Sequence, residues 1–443
     1  MGHSPDKGLR TFTLIWAGQF VSLLGSGLST FALGVWTYQL TGSATKFALI
    51  SMFGALPNLV VLPLAGVLVD RLDRRRVMIL SNAGSGLVTL ALAALLTSGR
   101  IELWHIYLAT TALSVCSSFQ LIAFSASVAL LVDTQHLGRA SGMVQSAQAT
   151  SQIVAPLVAG VLVFAINVGG ILVIDFLTYV FALLTLFAVR IPRPPTDEAG
   201  VESSGSLLRR VTFGWTYIRE RPGLMALLAY FASVNLIVSI TRVLFIPMTL
   251  NFASPATLGT LLSVSAGGLL LGSVVMSVWG GPKRRVNGVF GFGALLGVTV
   301  LLTGLRPSLL LVGGASFAMM FLVPFINGCN QAIWQSKTAP GVQGRVFAMR
   351  QLIGWSLNPL AYMVAGPLAD KLFEPLAAAP HGALGALMEA LVGVGAGRGI
   401  ALMYVIAGVL CVIIPAVIYT YPRLRQVESE LPDALAGEAV GSA

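Results

Sequence analysis

The chain has 443 residues, of which 56% are hydrophobic and only 10% are charged, and its formal net charge is +10. A water-soluble domain carries about 25% charged residues, so this composition excludes an ordinary soluble fold, and the apolar content excludes a disordered chain. The 48 glycines and 21 prolines are residues that helices tolerate within a bilayer. We therefore expect an integral membrane protein.

Twelve stretches of the chain are long and apolar enough to cross a bilayer, which takes about 20 helical residues. In chain order, these predicted spans are 12–40, 47–69, 77–97, 103–131, 142–165, 170–189, 224–250, 256–279, 286–305, 308–335, 346–369 and 399–421. The expected fold class is all-α and integral to the membrane, with twelve transmembrane helices.

Lysine and arginine are distributed unevenly between the predicted loops. With the first residues on the cytoplasmic side, the inner segments hold 21 of the 27 basic residues, the outer loops hold five, and Arg242 lies within a span. Cytoplasmic loops carry the excess of basic residues in membrane proteins. The sequence therefore predicts that both termini are cytoplasmic, and the basic balance indicates loop anchoring rather than a nucleic-acid partner.

A polar stretch, 190–223, is rich in proline and serine and separates the first six spans from the last six. This composition is typical of a linker. We therefore expect an N-terminal six-helix half, 1–189, the cytoplasmic linker, 190–223, and a C-terminal six-helix half with a cytoplasmic tail, 224–443.

The two halves repeat with a constant offset of 206 residues. This offset pairs Gly138-Arg139 with Gly344-Arg345, in the equivalent loops before spans 5 and 11. Parallel repeats of six helices are typical of secondary transporters. Arg139 and Arg345 are accordingly candidate residues of gating loops.

A glycine, an Asp-Arg pair and a run of arginines follow one another between spans 2 and 3, in the stretch 66–77. The stretch resembles motif A of the major facilitator superfamily, although Asp73 stands where that motif usually has glycine. The resemblance implies a gate at the inner face, while a charge cluster that only stops membrane insertion is the alternative. The residues that carry the motif are Gly66, Asp70, Arg71, Arg74 and Arg75.

Span 5 contains Ala-Pro-Leu-Val-Ala-Gly at 155–160, with Pro156 and Gly160 as its distinctive residues. This stretch resembles, in degenerate form, the Gly-Pro-x-x-Gly-Gly element of drug exporters in the same superfamily. Small residues beside a proline allow close helix packing and a local bend. Ordinary glycine and alanine packing explains the stretch equally well.

Across its whole length the chain resembles the macrolide-efflux and enterobactin-exporter branch of the superfamily, on the stretches 16–27, 63–76, 137–142 and 368–375. The resemblance implies a secondary transporter in the cytoplasmic membrane of a bacterium, which exports amphiphilic small molecules by alternating access, with protons as the coupling ion. An importer of the same fold and a receptor or scaffold that transports nothing remain alternatives.

The family fold implies that spans 1, 4, 7 and 10 are innermost, so polar residues in their middles are candidates for substrate contact. Each such residue is explained as well by hydrogen bonds between helices, but the amides of span 10 form a cluster. The candidates for the substrate cavity are Gln19, Ser22, Gln120, Asn235, Arg242, Asn327, Asn330, Gln331 and Trp334.

Three charged residues bear on coupling and substrate charge. Arg242 lies about 12 Å below the outer end of its span at 1.5 Å per residue, where it either receives an anionic substrate group or snorkels outward. Asp175 lies deep in span 6, which the family fold puts at the periphery, so a structural or interfacial role competes with proton relay. Asp133, at a cytoplasmic end, is the other possible coupling residue.

The sequence does not favour an enzyme. The histidines at 3, 105, 136 and 381 are isolated from one another and from metal-ligand spacings, and no phosphate-binding Gly-x-x-x-x-Gly-Lys loop occurs. We therefore expect no catalytic residues, no metal and no cofactor. The expected partners are a small-molecule substrate, protons and the lipid bilayer, and the expected state is a monomer.

Overall fold

The computed structural model describes residues 5–132, 136–189, 207–339, 342–378, 389–419 and 428, and this part of the chain contains helices and no β-strand. A π-helical turn, Ala369–Phe373, joins α11 to α12. In chain order the helices are α1 (Pro5–Thr41), α2 (Ala44–Arg71), α3 (Arg74–Thr97), α4 (Leu103–Leu131), α5 (Leu137–Ala188), α6 (Leu207–Arg219), α7 (Pro222–Leu250), α8 (Pro255–Trp279), α9 (Arg285–Leu305), α10 (Leu309–Lys337), α11 (Gln343–Leu368), α12 (Glu374–Ala378) and α13 (Arg398–Tyr419).

The long helix α5 breaks at Asn167, which has a positive φ of 56° and a ψ of 175°. Within the described ranges, Asn167 is the one residue other than glycine with positive φ, and both of its backbone angles are far from the values of an α-helix. The break divides α5 into two helices, α5a (137–166) and α5b (168–188), which correspond to spans 5 and 6.

Ten helices in the described ranges are long and apolar enough to cross a membrane, and α5, counted once among them, provides two crossings. Helix α11 has 26 residues, but polar side chains such as Arg350 and Asn358 lower its hydropathy below that of the other ten. With α11 the structure has twelve spanning helices, so the expected fold class is confirmed. The largest boundary difference is at α1, which begins at Pro5 because the helix continues past the apolar run into polar residues.

The chain forms two compact units. The N-terminal unit comprises Met1–Thr196 with Ala253–Ser263, and the C-terminal unit comprises Asp197–Phe252 with Val264–Ala443. In the N-terminal unit, α1 packs along α5, α2 packs on α4, and α3 packs on both α4 and α5. In the C-terminal unit, α9 packs on α10 and α13, and α7 packs on α11.

The repeat offset appears directly in the helix boundaries. Helices α4 and α10 begin at Leu103 and Leu309, and helices α5 and α11 begin at Leu137 and Gln343, so both pairs are separated by 206 residues. The number of residues from the start of α4 to the start of α5a therefore equals the number from the start of α10 to the start of α11.

The contact between α1 and α5b depends on two glycines of α1. A Cβ atom at Gly18 would collide with the side chain of Thr185, and one at Gly25 would collide with Thr178 and lie 2.8 Å from Asp175 Oδ1. Both glycines and both threonines are seven residues apart, so the same faces meet along two helical turns. Small residues of this kind let two membrane helices approach closely.

Part of the predicted linker is folded, because residues 207–219 form α6. The buried side chain of Ile218 joins the core of the C-terminal unit with Leu224, Leu227 and Trp334. Gly214 allows this close docking, since a Cβ there would lie 2.7 Å from the Arg345 carbonyl oxygen in α11.

Candidate substrate cavity

The N-terminal unit contains a cavity of about 570 Å³, whose lining combines apolar side chains with hydroxyl and amide groups and includes no Asp, Glu, Lys, Arg or His. Helices α1 to α4, α5a and α5b all contribute to it. Its walls are formed by Trp16, Gln19, Phe20, Ser22, Leu23, Ser26, Asn58, Ser81, Asn82, Ser85, Ser117, Gln120, Leu121, Phe124, Ser125, Val128, Ser141, Val144, Gln145, Ala147, Gln148 and Tyr179.

The structure brings three of the sequence-predicted cavity residues to this cavity: Gln19, Ser22 and Gln120. Gln120 Nε2 donates a hydrogen bond of 2.6 Å to Gln19 Oε1, which links α4 to α1. The remaining amide groups, Gln19 Nε2 and Gln120 Oε1, are buried and have no hydrogen-bond partner in the described part of the protein. A buried polar atom without a partner costs about 1–3 kcal/mol, so these atoms favour a polar ligand or water at this wall.

Two aromatic rings line the cavity on the same face of α1 as Gln19. The Trp16 and Phe20 rings stack with their centroids 5.5 Å apart. Trp16 is held in place because its Nε1 donates to the Met143 carbonyl oxygen of α5a at 2.9 Å. The cavity therefore combines a fixed aromatic surface with hydrogen-bonding groups, which is the usual composition of a small-molecule site.

Sequence reasoning missed several cavity residues because it considered only the four spans that the family fold makes innermost. Tyr179 of α5b and Gln145 and Gln148 of α5a all line the cavity. Gln145 and Gln148 are three residues apart and so share a helix face. Asn82 and Ser85 of α3 are separated by the same spacing. Polar residues three apart in an otherwise apolar helix could have identified these positions as cavity-lining from the sequence.

Asp175 lies inside the unit and not at its periphery, because only 1% of its surface is exposed. This burial contradicts the interfacial alternative for Asp175, while the structural role and the proton relay stay predictions. The close approach of α1 at Gly25 covers the carboxyl group. Asp133, the other candidate for coupling, lies outside the described residues.

The arginines of the motif A stretch hold the ends of neighbouring helices. Arg75 donates to the carbonyl oxygens of Leu186 and Phe187 at 3.0 and 3.2 Å, and so satisfies the open C-terminal end of α5b. Arg74 donates to the Ala126 carbonyl oxygen of α4 at 2.7 Å. These bonds tie α3 to two helices of the same unit.

Asp73, the departure from the family motif, caps the N-terminus of α3. Its Oδ1 accepts hydrogen bonds from the backbone N–H groups of Arg75 and Arg76 at 3.0 and 3.3 Å. The backbone at Gly66, Asp70 and Arg71 belongs to the last two turns of α2. The side chains of Asp70 and Arg71 lie outside the described part of the structure, so their gating role stays a prediction.

Arg139 and Arg345 lie in helices rather than in the loops that the sequence analysis predicted. Each is the third residue of its helix, in α5 and in α11, and each is exposed. Long basic side chains are accommodated at such positions because they can reach the polar interface. The Arg345 guanidinium lies 5.2 Å from the ring centroid of Phe213 in the linker helix α6.

Pro156 and Gly160 of α5a contact the first turns of α8, which belong to the same compact unit. A Cβ atom at Gly160 would lie 2.7 Å from the Pro255 carbonyl oxygen and 3.0 Å from Ala256 Cα. A Cβ atom at Gly259 would in turn collide with the Pro156 carbonyl oxygen. The stretch therefore serves close backbone packing, as its small residues indicated.

The candidates of the C-terminal unit have different environments. Asn327 and Arg242 are exposed, and Asn235 is half-buried with its amide 3.7 Å from the Cβ position of Gly354. Asn330 is 7% exposed, and its Oδ1 has no hydrogen-bond partner among the described residues. Trp334 is fully buried in the apolar core. Their contact with substrate stays a prediction.

Gln331 has a partner that sequence reasoning missed. Arg350 of α11 donates from its NH2 nitrogen to Gln331 Oε1 at 2.6 Å, and its guanidinium lies 5.4 Å from the Trp334 ring centroid and 5.3 Å from that of Phe347. The sequence analysis counted Arg350 among the inner-loop cations, yet Arg350 is the eighth residue of α11. Its position within the predicted span 346–369 could have indicated that Arg350 lies in a helix and not in a loop.

The comparisons with known proteins agree with this architecture. The family model of the Major Facilitator Superfamily matches residues 15–361. The chain belongs to this family of membrane transporters.

Two bacterial relatives show the predicted branch. Macrolide efflux protein A of Streptococcus pyogenes is 29% identical over 369 residues, which cover 82% of this chain and 90% of that protein. The enterobactin exporter EntS of Citrobacter koseri is 26% identical over 348 residues, which cover 76% and 79% of the two chains. The resemblance to the macrolide-efflux and enterobactin-exporter branch is therefore confirmed.

The fold is also that of solved transporters. The crystal structure of a bacterial homologue of the lysosomal transporter Spinster, inward-facing and unoccupied, aligns with a TM-score of 0.73 at 14% sequence identity, over 97% of this chain and 99% of that one. At this level of identity the likeness concerns the fold alone.

Proposed function

We propose that the protein exports amphiphilic small molecules, of the macrolide, siderophore or other natural-product type, by alternating access coupled to proton antiport. The observation that carries the proposal is the cavity of about 570 Å³ in the N-terminal unit. The names of the relatives support export, and an alternating-access cycle is the mode of transport in secondary transporters with six-helix repeats.

The chemistry of the cavity favours a substrate with both apolar and hydrogen-bonding parts. The stacked rings of Trp16 and Phe20 offer an apolar surface, while Gln19 and Gln120 each keep one amide atom without a partner. Hydroxyl and carbonyl groups of a polyoxygenated molecule can satisfy these atoms. Because the lining includes no Asp, Glu, Lys, Arg or His, recognition here depends on hydrogen bonds and shape rather than charge.

The position of the cavity suits loading from the cytoplasm. Its lining residues on α5a lie between Ser141 and Gln148, in the first half of that helix, and most of those on α1, from Trp16 to Leu23, lie in the first half of α1. If the N-terminus is cytoplasmic in a bacterial inner membrane, as the basic residues predict, these halves are cytoplasmic. An exporter binds its substrate on this side.

The proposed inner gate consists of Asp70 and Arg71 at the end of α2 with Arg139 and its repeat counterpart Arg345. Asp70→Asn should abolish transport and leave membrane insertion intact, because an amide cannot make the proposed ion pair with an arginine. Normal flux by this variant would remove Asp70 from the gate. Insertion is checked by the amount of protein in purified membranes.

The function is tested by measuring retention of a macrolide and of a catecholate siderophore in efflux-deficient bacteria that express this chain, with and without a protonophore. Export predicts lower retention of at least one compound, and proton coupling predicts that the protonophore restores it. Higher retention than in cells without the protein would indicate an importer. Equal retention of both compounds, with the protein present in the membrane, would contradict the proposed substrate classes.

A further inference from the structure

The buried carboxyl group of Asp175 lies next to the cavity in the N-terminal unit. Asp175 of α5b is 1% exposed, and no lysine or arginine in the described part of the chain forms an ion pair with it. An uncompensated charge within a membrane protein is costly. The carboxyl group therefore needs either a proton or another cation as its partner.

Hydroxyl groups from three helices surround this carboxyl: Ser26 and Ser29 of α1, Thr89 of α3 and Thr178 of α5b. Thr178 Oγ1 lies 3.4 Å from Asp175 Oδ1 and also donates to the Asp175 carbonyl oxygen at 2.7 Å. The hydroxyls of Ser29 and Thr89 are buried and have no hydrogen-bond partner among the described residues. Since a hydroxyl both donates and accepts, this shell accommodates the carboxyl with and without its proton.

Two hydroxyl-bearing residues, Ser26 and Tyr179, lie between the carboxyl and the cavity. Ser26, which faces Asp175, has its Oγ 2.8 Å from the Tyr179 Oη. Ser26 and Tyr179 both line the cavity. The cavity wall is thus one hydroxyl away from an otherwise enclosed acid.

We infer that Asp175 carries the proton that is exchanged for substrate, and that Ser26 and Tyr179 relay this proton between Asp175 and the cavity. The inference rests on the proposed proton antiport and names the residue that performs it. In the relay, the carboxyl gives its proton to the Ser26 oxygen as the Ser26 hydroxyl gives its own to Tyr179, and Tyr179 passes its phenolic proton to water in the cavity. Each hydroxyl ends with one proton, and Asp175 ends as a carboxylate.

The surroundings of Asp175 leave few other groups to titrate. Helices α1 and α3 pack against α5b. Both present hydroxyl groups to the Asp175 carboxyl. The titratable neighbours in the described part of the unit are Tyr179 of α5b and the Cys116 thiol of α4, and both contact Ser85 of α3. A proton lost near neutral pH from this cluster is therefore assigned to Asp175, since free tyrosine and cysteine titrate at higher pH.

Infrared difference spectroscopy of the full chain in lipid nanodiscs tests the site without any substrate. We expect a carbonyl band of a protonated carboxyl in the wild-type protein that disappears on raising the pH and is absent from Asp175→Asn. Glu102→Gln, the matched change at an exposed outer carboxylate, should retain it. Tyr179→Phe should retain the band and slow its response to a pH jump. Thr89→Ala should shift the band, which provides a second variant if Asp175→Asn does not fold.

The same proteins in proteoliposomes test the coupling. Asp175→Asn should lose macrolide or siderophore accumulation driven by a pH gradient and retain exchange of labelled for unlabelled substrate at equal pH. A wild-type protein without the band, a band removed by Na⁺ at constant pH, or gradient-driven accumulation by Asp175→Asn would each overturn the inference. An intact band in a wild-type protein that moves neither compound would support the protonation site and overturn the proposed function.

Discussion

Gln120 Nε2 donates to Gln19 Oε1 at 2.6 Å, and this is the hydrogen bond that joins α4 to α1 across the polar cavity in the described part of the N-terminal unit. Helix α1 also bonds to α5: Trp16 donates to the Met143 carbonyl oxygen, Ser26 pairs with Tyr179, and Ser151 donates to the Leu23 carbonyl oxygen. The glutamine pair therefore connects two parts of the unit that otherwise meet through few contacts.

Replacing Gln120 by leucine should weaken substrate binding without unfolding the protein. The leucine removes the amide that is available to a ligand, and one hydrogen bond contributes about 0.5–1.5 kcal/mol, so we expect KM to rise about 2- to 10-fold. The measurement is the concentration dependence of macrolide transport in inverted membrane vesicles. Gln39→Leu, at an exposed glutamine near the end of α1, is the matched control. Equal KM values for wild type and Gln120→Leu would remove this residue from the site.

Gly160→Ala should destabilise the protein strongly, because the new methyl group would lie 2.7 Å from the Pro255 carbonyl oxygen and 3.0 Å from a backbone carbon. Overpacking of this kind costs about 1–3 kcal/mol. Gly142→Ala, in the same helix and with no heavy atom within 4 Å of the new Cβ, should be neutral or stabilising. Thermal unfolding in detergent distinguishes the two variants. Identical Tm values would mean that the backbones of α5a and α8 are not in close contact.

Arg75→Ala should lower the stability of the protein by about 1–2 kcal/mol, since the guanidinium satisfies two terminal carbonyl oxygens of α5b. Arg76→Ala is the control, because Arg76 is the neighbouring arginine and its side chain is exposed. Chemical denaturation followed by tryptophan fluorescence measures the difference. A larger loss for Arg76→Ala would contradict the capping role.

Arg350→Gln and Arg242→Gln should behave differently although both remove an arginine within a span. Arg350 donates to Gln331 and lies near two aromatic rings, so its loss should reduce Tm; a cation–π contact alone contributes about 0.5–2 kcal/mol. Arg242 is exposed, so its loss should leave Tm unchanged and slow transport of acidic substrates selectively. Unchanged rates for every substrate would assign Arg242 to the interface with lipid rather than to substrate.

Glu374→Gln should loosen the start of α13. The Glu374 carboxylate accepts from the backbone N–H groups of Gly397 and Ile400 at 3.1 and 3.0 Å, and the loss of such a cap costs about 0.5–2 kcal/mol. Hydrogen exchange of the first turn of α13, measured by mass spectrometry, should increase. Glu389→Gln, at an exposed acid, should leave it unchanged, and equal exchange in both variants would contradict the cap.

The spanning helices were predictable because bilayer thickness sets their length and apolar content, independently of how they pack. Exceptions arose where polar residues continue a helix, as at Pro5 in α1 and at Arg345 in α11. In both places backbone hydrogen bonding extends the helix beyond the hydrocarbon region that the hydropathy pattern reports.

Side-chain partners were less predictable, because they depend on packing between helices. Gln19 and Gln120 were each identified as cavity candidates. Their hydrogen bond depends on the distance between α1 and α4, which the sequence of either helix alone does not determine. The shell of Asp175 combines residues from three helices, and family likeness placed that acid at the periphery. Arg350 lies within the predicted span 346–369, but its bond to Gln331 depends on how α10 and α11 pack together.

The two glycines of α1, at positions 18 and 25, also limit how the N-terminal unit can move. With the threonine side chains of α5b seated directly over them, α1 has no room to rotate or slide against α5b without leaving this contact. The two helices should therefore travel as one rigid body, with Asp175 enclosed between them. Opening or closing of the cavity would then occur at the wall formed by α4, where a single amide pair has to be broken and remade.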